Sequence, residues 1–171
     1  MDDPRPASLV RAEHDDPRVV GAVRRYVAEL DARFPGGFAV VEADLVDPGG
    51  HYVLALDGER VLGVGGVRAL PGTDGAPSAE VKRMWVDPSA RGTGLGRRLL
   101  AALEELAVDL GHRRVLLDTN LVLGEAVALY ERAGYDRVER YNDNPYAQAF
   151  FAKDLTGQAG TWPKRPLWKS W

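Results

Sequence analysis

The sequence predicts a mixed α+β protein with a single folded domain, and three observations predict it. Short, mostly apolar runs, such as His51 to Leu56 and Val61 to Leu70, read as strands bounded by turn signals. Two longer segments, around residues 20–34 and 95–110, repeat their apolar residues every three or four positions, the period of an amphipathic helix. No segment of the chain repeats another, and 171 residues suffice for one substantial core. Strands and helices interleaved in this way imply an open sheet with helices packed against it.

Ser8 to Glu13 reads as a first short strand. Asp16-Pro17 then signals a helix start, since proline suits the first helical turn. Val20, Val23, Val27, Leu30 and Phe34 line one face of that helix, and Pro35-Gly36-Gly37 ends it. Residues 38–50 read as a loop with room for one helical turn. His51 to Leu56 and Val61 to Leu70 form a hairpin around Asp57-Gly58. After a connection at residues 71–78, Glu80 to Val86 is a strand that Asp87-Pro88 breaks. Gly94 to Leu110 is the strongest helix, with Leu95, Leu99, Leu103, Leu106 and Leu110 on one face and Gly111 as its cap. Arg114 to Asp118 is a further strand, and Glu125 to Ala133 a short helix ended by Gly134. Two last strands are expected at residues 135–141 and 147–154.

Composition narrows the class. Apolar residues at 45% and charged residues at 27% are ordinary for a globular protein. A formal net charge of −3 argues against nucleic acid or an anionic membrane as the main partner. No stretch approaches the roughly 18 consecutive apolar residues a membrane helix needs. Met1-Asp2-Asp3-Pro4 is acidic, unlike a signal peptide, so the expected location is cytoplasmic. The chain has no cysteine, which removes disulfides, thiolate metal sites and a cysteine nucleophile. Its histidines, His14, His51 and His112, are scattered away from metal-ligand spacing, and no metal is expected.

Residues 1–155 are expected to form the domain and residues 156–171 a tryptophan-rich extension. Three of the four tryptophans, at 162, 168 and 171, lie in that extension among Pro163 and Pro166. Two readings stand: indoles docked on the domain's own surface, or a homodimer or partner contact.

Arg91-Gly92-Thr93-Gly94-Leu95-Gly96, between a strand and a helix, carries the chemistry. Glycines let backbone amides approach an anion closely, and the helix N-terminus adds orphan N–H donors and the positive end of its dipole. Together these make a pyrophosphate cradle. A P-loop needs a lysine after the loop, and none follows. The dinucleotide fingerprint needs G-x-G-x-x-G, but its third glycine falls on Arg97 or Leu99 in the two registers, so both fail. Residues 81–114 also carry seven Lys or Arg against four acids, which suits a polyanion in an otherwise acidic chain.

The loop matches Arg/Gln-x-x-Gly-x-Gly/Ala, and so resembles the acyl-CoA-binding motif of the GNAT superfamily of N-acetyltransferases. Upstream, Met84-Trp85-Val86-Asp87-Pro88 resembles that family's strand and Val-x-Pro turn. Downstream, Ala126-Val127-Ala128-Leu129-Tyr130-Glu131-Arg132-Ala133-Gly134-Tyr135 resembles its A-x-x-L-Y-x-x-x-G-F/Y segment. The resemblance covers residues 8–154. It implies a GNAT-like domain: a central, mostly antiparallel mixed sheet of about six to seven strands with about four helices.

It further implies acetyl-CoA as the acetyl donor, its pyrophosphate on the amides of residues 91–97 and its pantetheine arm on Met84, Trp85 and Val86. Arg91 and Arg97 would add charge-assisted contacts. Tyr130 would protonate or hydrogen-bond the departing sulfur, because an ordinary phenol pKa, about 10, exceeds that of a thiol, about 8.5. Glu80, on the face of Met84 and Val86 by period two, is the candidate general base or substrate contact, set against an ordinary exposed strand carboxylate or a partner of Lys82 or Arg83. An asparagine common in the family three residues before Ala126 is here Leu123. Asn120 is then either a displaced pantetheine contact or a cap for the following helix. Residues 33–38 and 141–146 fall where the family sets acceptor specificity, though Tyr141-Asn142-Asp143-Asn144-Pro145-Tyr146 also reads as a plain turn. The expected activity is transfer of acetyl directly to a small-molecule amine. A protein N-terminus or lysine as acceptor, and a non-catalytic acyl-CoA-binding module, are the alternatives.

Overall fold

The computed structural model describes residues 5–71 and 77–155. The tryptophan-rich extension, with the docking and dimer expectations attached to it, lies outside the described residues. Seven strands and three α-helices follow in order: β1 Ser8–Glu13, α1 Pro17–Arg33, β2 His51–Asp57, β3 Arg60–Leu70, β4 Ser78–Val86, α2 Leu95–Asp109, β5 Arg114–Thr119, α3 Gly124–Arg132, β6 Asp136–Arg137 and β7 Ala149–Asp154. Single 3-10 turns lie at Glu42–Asp44, within the loop where one helical turn was expected, and at Pro88–Ala90, and the described residues hold three α-helices against the four or so that the resemblance implied. The strands form one sheet in the order β1-β2-β3-β4-β5-β7-β6, antiparallel throughout except for β4 beside β5. Among the described residues no helix is long and apolar enough to cross a membrane.

Helices cover both faces of the sheet, α2 and α3 on one and α1 on the other. Leu99, Leu100, Leu103 and Leu106 of α2 pack on Val53, Val67, Val81, Val115 and Leu117. At about 1.5–3 kcal/mol per fully buried side chain, this leucine stripe is the main anchor of α2. The approach is tight: a Cβ on Gly65 of β3 would sit 2.5 Å from Leu103 Cδ1. On the opposite face Val19 and Val23 of α1 pack on Tyr52, Leu54, Val64 and Trp85. Asp16 caps α1 by accepting a hydrogen bond from Arg18 N at 2.8 Å, as its position before Pro17 predicts.

The strand expected over residues 135–141 shrinks to Asp136–Arg137. Val138 N still donates to Phe150 O at 2.9 Å. Beyond it the Arg140 guanidinium donates to the carbonyls of Asn142, Asn144 and Ala147 at 3.1–3.3 Å. A chain gathered around one guanidinium cannot also run extended, so the segment folds into a turn.

Two irregularities in β4 shape the site. First, β4 and β5 pair only at Ser78–Glu80 against Arg114–Leu116, and then fork apart. Second, the ladder to β3 passes from Gly66↔Lys82 to Val64↔Trp85, one extra residue on β4, with Arg83 in the left-handed region at φ +55°. This bulge inverts the alternation of the strand. Glu80, Lys82 and Trp85 therefore share the α1 face, while Val86 and Met84 lie with the α2 core. The expectation that Glu80 shares a face with Met84 and Val86 is corrected accordingly.

Candidate functional site

The loop between β4 and α2 is held from below by Asp87. Its Oδ1 accepts from Ser89 N at 2.8 Å and Ser89 Oγ at 2.6 Å, and its other oxygen pairs with Arg25. These hydrogen bonds, Ser89's first and then the Arg25 contact, pull the carboxyl pKa down to about 2. Above this base Gly92 and Gly94 take φ +76° and +84°, which glycine adopts without strain. A Cβ at either would meet nothing within 4 Å, because both Cα atoms face open space. Gly94 is the N-cap of α2 and offers no side-chain cap. The helix ladder begins with Arg98 N donating to Gly94 O at 3.2 Å, so the amides of Leu95, Gly96 and Arg97 have no intrahelical acceptor. With no acid in that first turn, the cradle suits a pyrophosphate.

The side chains of this loop differ in what they can contribute. Thr93 Oγ1 donates inward to Ala90 O at 2.6 Å, and Leu95 is buried against Ala55 and Ala90, so both offer only backbone. Arg91 is tied down, with Nε on Val86 O at 3.0 Å and one terminal nitrogen on both Glu29 oxygens at 2.7 and 2.8 Å. Arg97 makes no ion pair among the described residues and lines the same groove, a cavity of about 400 Å³ that also takes in Met84, Trp85 and Val86. The Trp85 indole is buried under the Arg25 guanidinium, 4.5 Å from the ring centroid, so this residue too meets the groove by its backbone. Among the described residues, the β5-side edge of β4 past Glu80 has no strand partner. An extended amide-bearing ligand can complete that edge as an added strand.

A smaller cavity of about 90 Å³ occupies the mouth of the fork. Lys82 and Arg83 of β4 form one wall and Asp118 and Thr119 of β5 another. Phe34, Phe38 and Tyr146 close it with mutually packed rings, centroids 4.6–5.9 Å apart. The two cavities meet at Tyr26, Leu30, Met84, Leu123, Ala126 and Tyr130. Tyr130 is buried, its ring 5.8 Å from Phe151 and 6.1 Å from Tyr135, and burial pushes its phenol well above the ordinary value. Tyr26 is raised to about 12, again by burial. Two neutral phenols thus stand at the junction. Nothing in the sequence singled out Tyr26, which simply occupies the apolar stripe of α1 one turn before Leu30.

Glu80 reaches neither cavity. It is 1% exposed, with Arg68 Nε at 3.0 Å and a second Arg68 nitrogen at 2.8 Å on Oε1, and Lys82 Nζ at 3.5 Å. The carboxylate that lines the smaller cavity is Asp118, which the sequence did not single out. Its Oδ2 accepts from Asn142 Nδ2 at 2.5 Å and its Oδ1 from Asn144 Nδ2 at 3.3 Å. Asn142 Nδ2 also lies 3.4 Å from Glu80 Oε2, so the turn at 142–144 joins the buried carboxylate to the accessible one. Asn120 sits on the smaller cavity, not the groove. Its Nδ2 donates to Tyr146 O at 2.9 Å and its Oδ1 accepts from Val122 N at 3.0 Å. Both amide atoms hold loops together, and α3 has Leu123 as its N-cap instead. Among the described residues no cluster of His, Asp or Glu could hold a metal ion.

Comparison with known proteins agrees with this geometry. The model of the acetyltransferase (GNAT) family matches residues 13–135. The chain is 31% identical over 133 residues to the Escherichia coli (strain K12) protein named "Uncharacterized N-acetyltransferase YjgM", covering 73% of this chain and 78% of that one. It is 34% identical over 121 residues to the IAA acetyltransferase of Azospirillum brasilense, covering 67% and 76%. It is 33% identical over 132 residues to the N-alpha-acetyltransferase RimI of Mycobacterium tuberculosis, covering 72% and 81%. Among solved structures, yncA of Salmonella typhimurium with its cofactor acetyl-CoA superposes with a TM-score of 0.65 at 16% identity, over 91% of this chain and 97% of that one. The amide cradle, the forked sheet and the family match together place this chain in the GNAT family of acetyl-CoA-dependent N-acetyltransferases.

Proposed function

We propose that the acceptor is a primary amine of a small molecule and that Tyr130 serves the departing sulfur. The observation that carries this reading is the fork between β4 and β5, where a long groove and a short closed cavity meet at Tyr130. A cavity of about 90 Å³ walled by three aromatic rings accommodates a small acceptor better than a length of polypeptide. The name of the Azospirillum relative points the same way, while that of the mycobacterial relative favours a protein acceptor.

Acetyl-CoA supplies the activated acetyl group: the acceptor nitrogen gains the C–N bond, the C–S bond breaks, and the sulfur leaves with one proton. The chain's residues bind, orient and exclude water. Amides from Gly92 to Arg97 cradle the pyrophosphate, with the Arg97 guanidinium as the available cation, and the free edge of Met84 to Val86 receives the amides of the arm. The raised pKa keeps Tyr130 protonated at neutral pH, so its hydroxyl donates a hydrogen bond to developing negative charge. The same burial that disfavours phenolate also disfavours thiolate, which keeps proton transfer between them feasible. Glu80 acts as a positioning residue, held by Arg68 and reaching Asp118 through Asn142.

Measuring CoA thiol release over a panel of small amines and short peptides tests the reading, with Tyr130→Phe as the diagnostic variant. Turnover of small amines, with kcat reduced in the variant at little change in KM, supports it. Turnover of peptides alone favours the protein-acceptor alternative, and tight acetyl-CoA binding with no turnover favours the non-catalytic module.

A further inference from the structure

The charges around the smaller cavity do not cancel locally. Behind it, Arg68 joins Glu80 to Asp47, contacting Asp47 Oδ2 at 3.0 Å, and Lys82 approaches Glu80. Those four charges neutralise one another. Arg83 and Asp118, both on the cavity wall, are excluded from this arrangement. Arg83 makes one hydrogen bond, to the carbonyl of Asp44 at 2.9 Å, and Asp118 accepts only from the neutral amides of Asn142 and Asn144. Neither enters an ion pair among the described residues, and each faces the mouth of the fork from an opposite strand.

Arg83 is also the one described non-glycine residue in the left-handed region, at φ +55°. Holding an ordinary residue there is costly, and such strain clusters at functional positions. A glycine would relieve it but would have no guanidinium. The bulge turns this side chain to the acceptor side, where its charge acts on the Tyr26 hydroxyl together with that of Asp118. The aromatic rings of Phe34, Phe38 and Tyr146 lie alongside, a surface suited to a small apolar group or to the face of an ammonium.

We propose that the acceptor is a small zwitterionic amino acid, its carboxylate held by Arg83 and its ammonium by Asp118, the ammonium releasing one proton to water before the nitrogen attacks and the second proton leaving with the sulfur. This rests on the small-molecule reading above. Two opposite charges left unpaired by the protein are satisfied together only by a ligand bearing both signs. Arg83 presents the planar fork that matches a carboxylate. Asp118, with one amide donor on each oxygen, retains lone pairs for the ammonium. Glu80 and Asn142 fix the angle of that carboxylate from behind.

The test compares free L-amino acids with their methyl esters and with the corresponding decarboxylated amines. CoA thiol release is measured at saturating acetyl-CoA, and calorimetric binding on the CoA-loaded protein. The wild type is expected to favour the free amino acid in kcat/KM by about 10- to 100-fold, the range of a charge-assisted contact. Arg83→Gly, whose backbone suits the bulge and whose fold is checked by circular dichroism, is expected to collapse that preference to about threefold or less, through KM. Asp118→Asn is expected to weaken calorimetric binding of the amino acid and of the amine alike. Equal use of the decarboxylated amine by the wild type overturns the inference while leaving the small-molecule reading intact. So does an equal loss for both acceptors in Arg83→Gly. Turnover of peptides alone overturns both.

Discussion

Replacing Gly94 by alanine tests whether the cradle between β4 and α2 is built for a ligand or only for a turn. At φ +84° an L-residue pays about 1–2 kcal/mol for the left-handed backbone. Alanine recovers about 0.4–1 kcal/mol of that by restricting the unfolded chain. The difference is about 1 kcal/mol of stability, a fall of about 2–4 °C in Tm for a chain of this size. No protein atom lies within 4 Å of the new Cβ, so no clash adds to the loss. The methyl group instead enters the space where the pyrophosphate must approach the amides of α2. Losing one charge-assisted hydrogen bond, about 1.5–3 kcal/mol, weakens acetyl-CoA binding by about 10- to 100-fold. Gly111 provides the control, since it lies at the other end of α2 with φ +91° and equally open space around its Cβ. Gly111→Ala should cost similar stability and leave acetyl-CoA affinity unchanged. Thermal melts with and without acetyl-CoA, and calorimetry on both variants, separate the two effects. Equal acetyl-CoA affinity in the two variants would refute the assignment of Gly94 to the cradle.

Tyr130→Phe keeps the ring packed between Phe151 and Tyr135, so Tm should hold to within about 3 °C. The kcat should fall by about 10²- to 10⁴-fold, the usual worth of a positioned proton donor, as read by steady-state thiol release. Asp87 has its pKa lowered in the folded state, so its stabilising effect is present above about pH 4 and lost as pH falls toward 2. Asp87→Asn should therefore reduce stability near neutral pH and flatten the acid limb of the unfolding midpoint plotted against pH. Leu103→Ala removes a fully buried side chain from the core beneath α2 and should cost about 2–5 kcal/mol in urea titration.

Much of the donor side was legible before any coordinates. The glycine loop ahead of a leucine-striped helix implies its cradle directly, because positive φ and orphan amides are local consequences of glycine and of helix ends. The hairpin at Asp57-Gly58 and the cap at Gly111 are equally local. The bulge at Arg83 was harder to read: in Glu80-Val81-Lys82-Arg83-Met84-Trp85-Val86 the alternation breaks at Lys82-Arg83, but no glycine marks the irregular position. Reading it as regular put Glu80 on the face of Met84 and Val86, and the choice of Glu80 as candidate base rested in part on that face. Asp118 and Tyr26 escaped notice for a related reason. One ends a strand and the other sits on an apolar helix stripe, and only the three-dimensional fork brings them together. The strand expected over residues 135–141 was misjudged because a single arginine side chain, Arg140, gathers the backbone of residues 142–147.

Beyond the residues at their junction, the two cavities draw on different parts of the chain. The donor groove is made from backbone amides of the loop after β4, whose usefulness depends on main-chain shape and hardly on side-chain identity. The smaller cavity is made from side chains of β4 and β5, of the end of α1 and the loop beyond it, and of the turn at 142–146. Exchange of Phe34, Phe38, Asn144 or Tyr146 can therefore redraw what is acetylated while leaving the acetyl source untouched. In such an architecture selectivity becomes an adjustable attachment to a fixed engine, and redesign for a new amine should begin on those four positions.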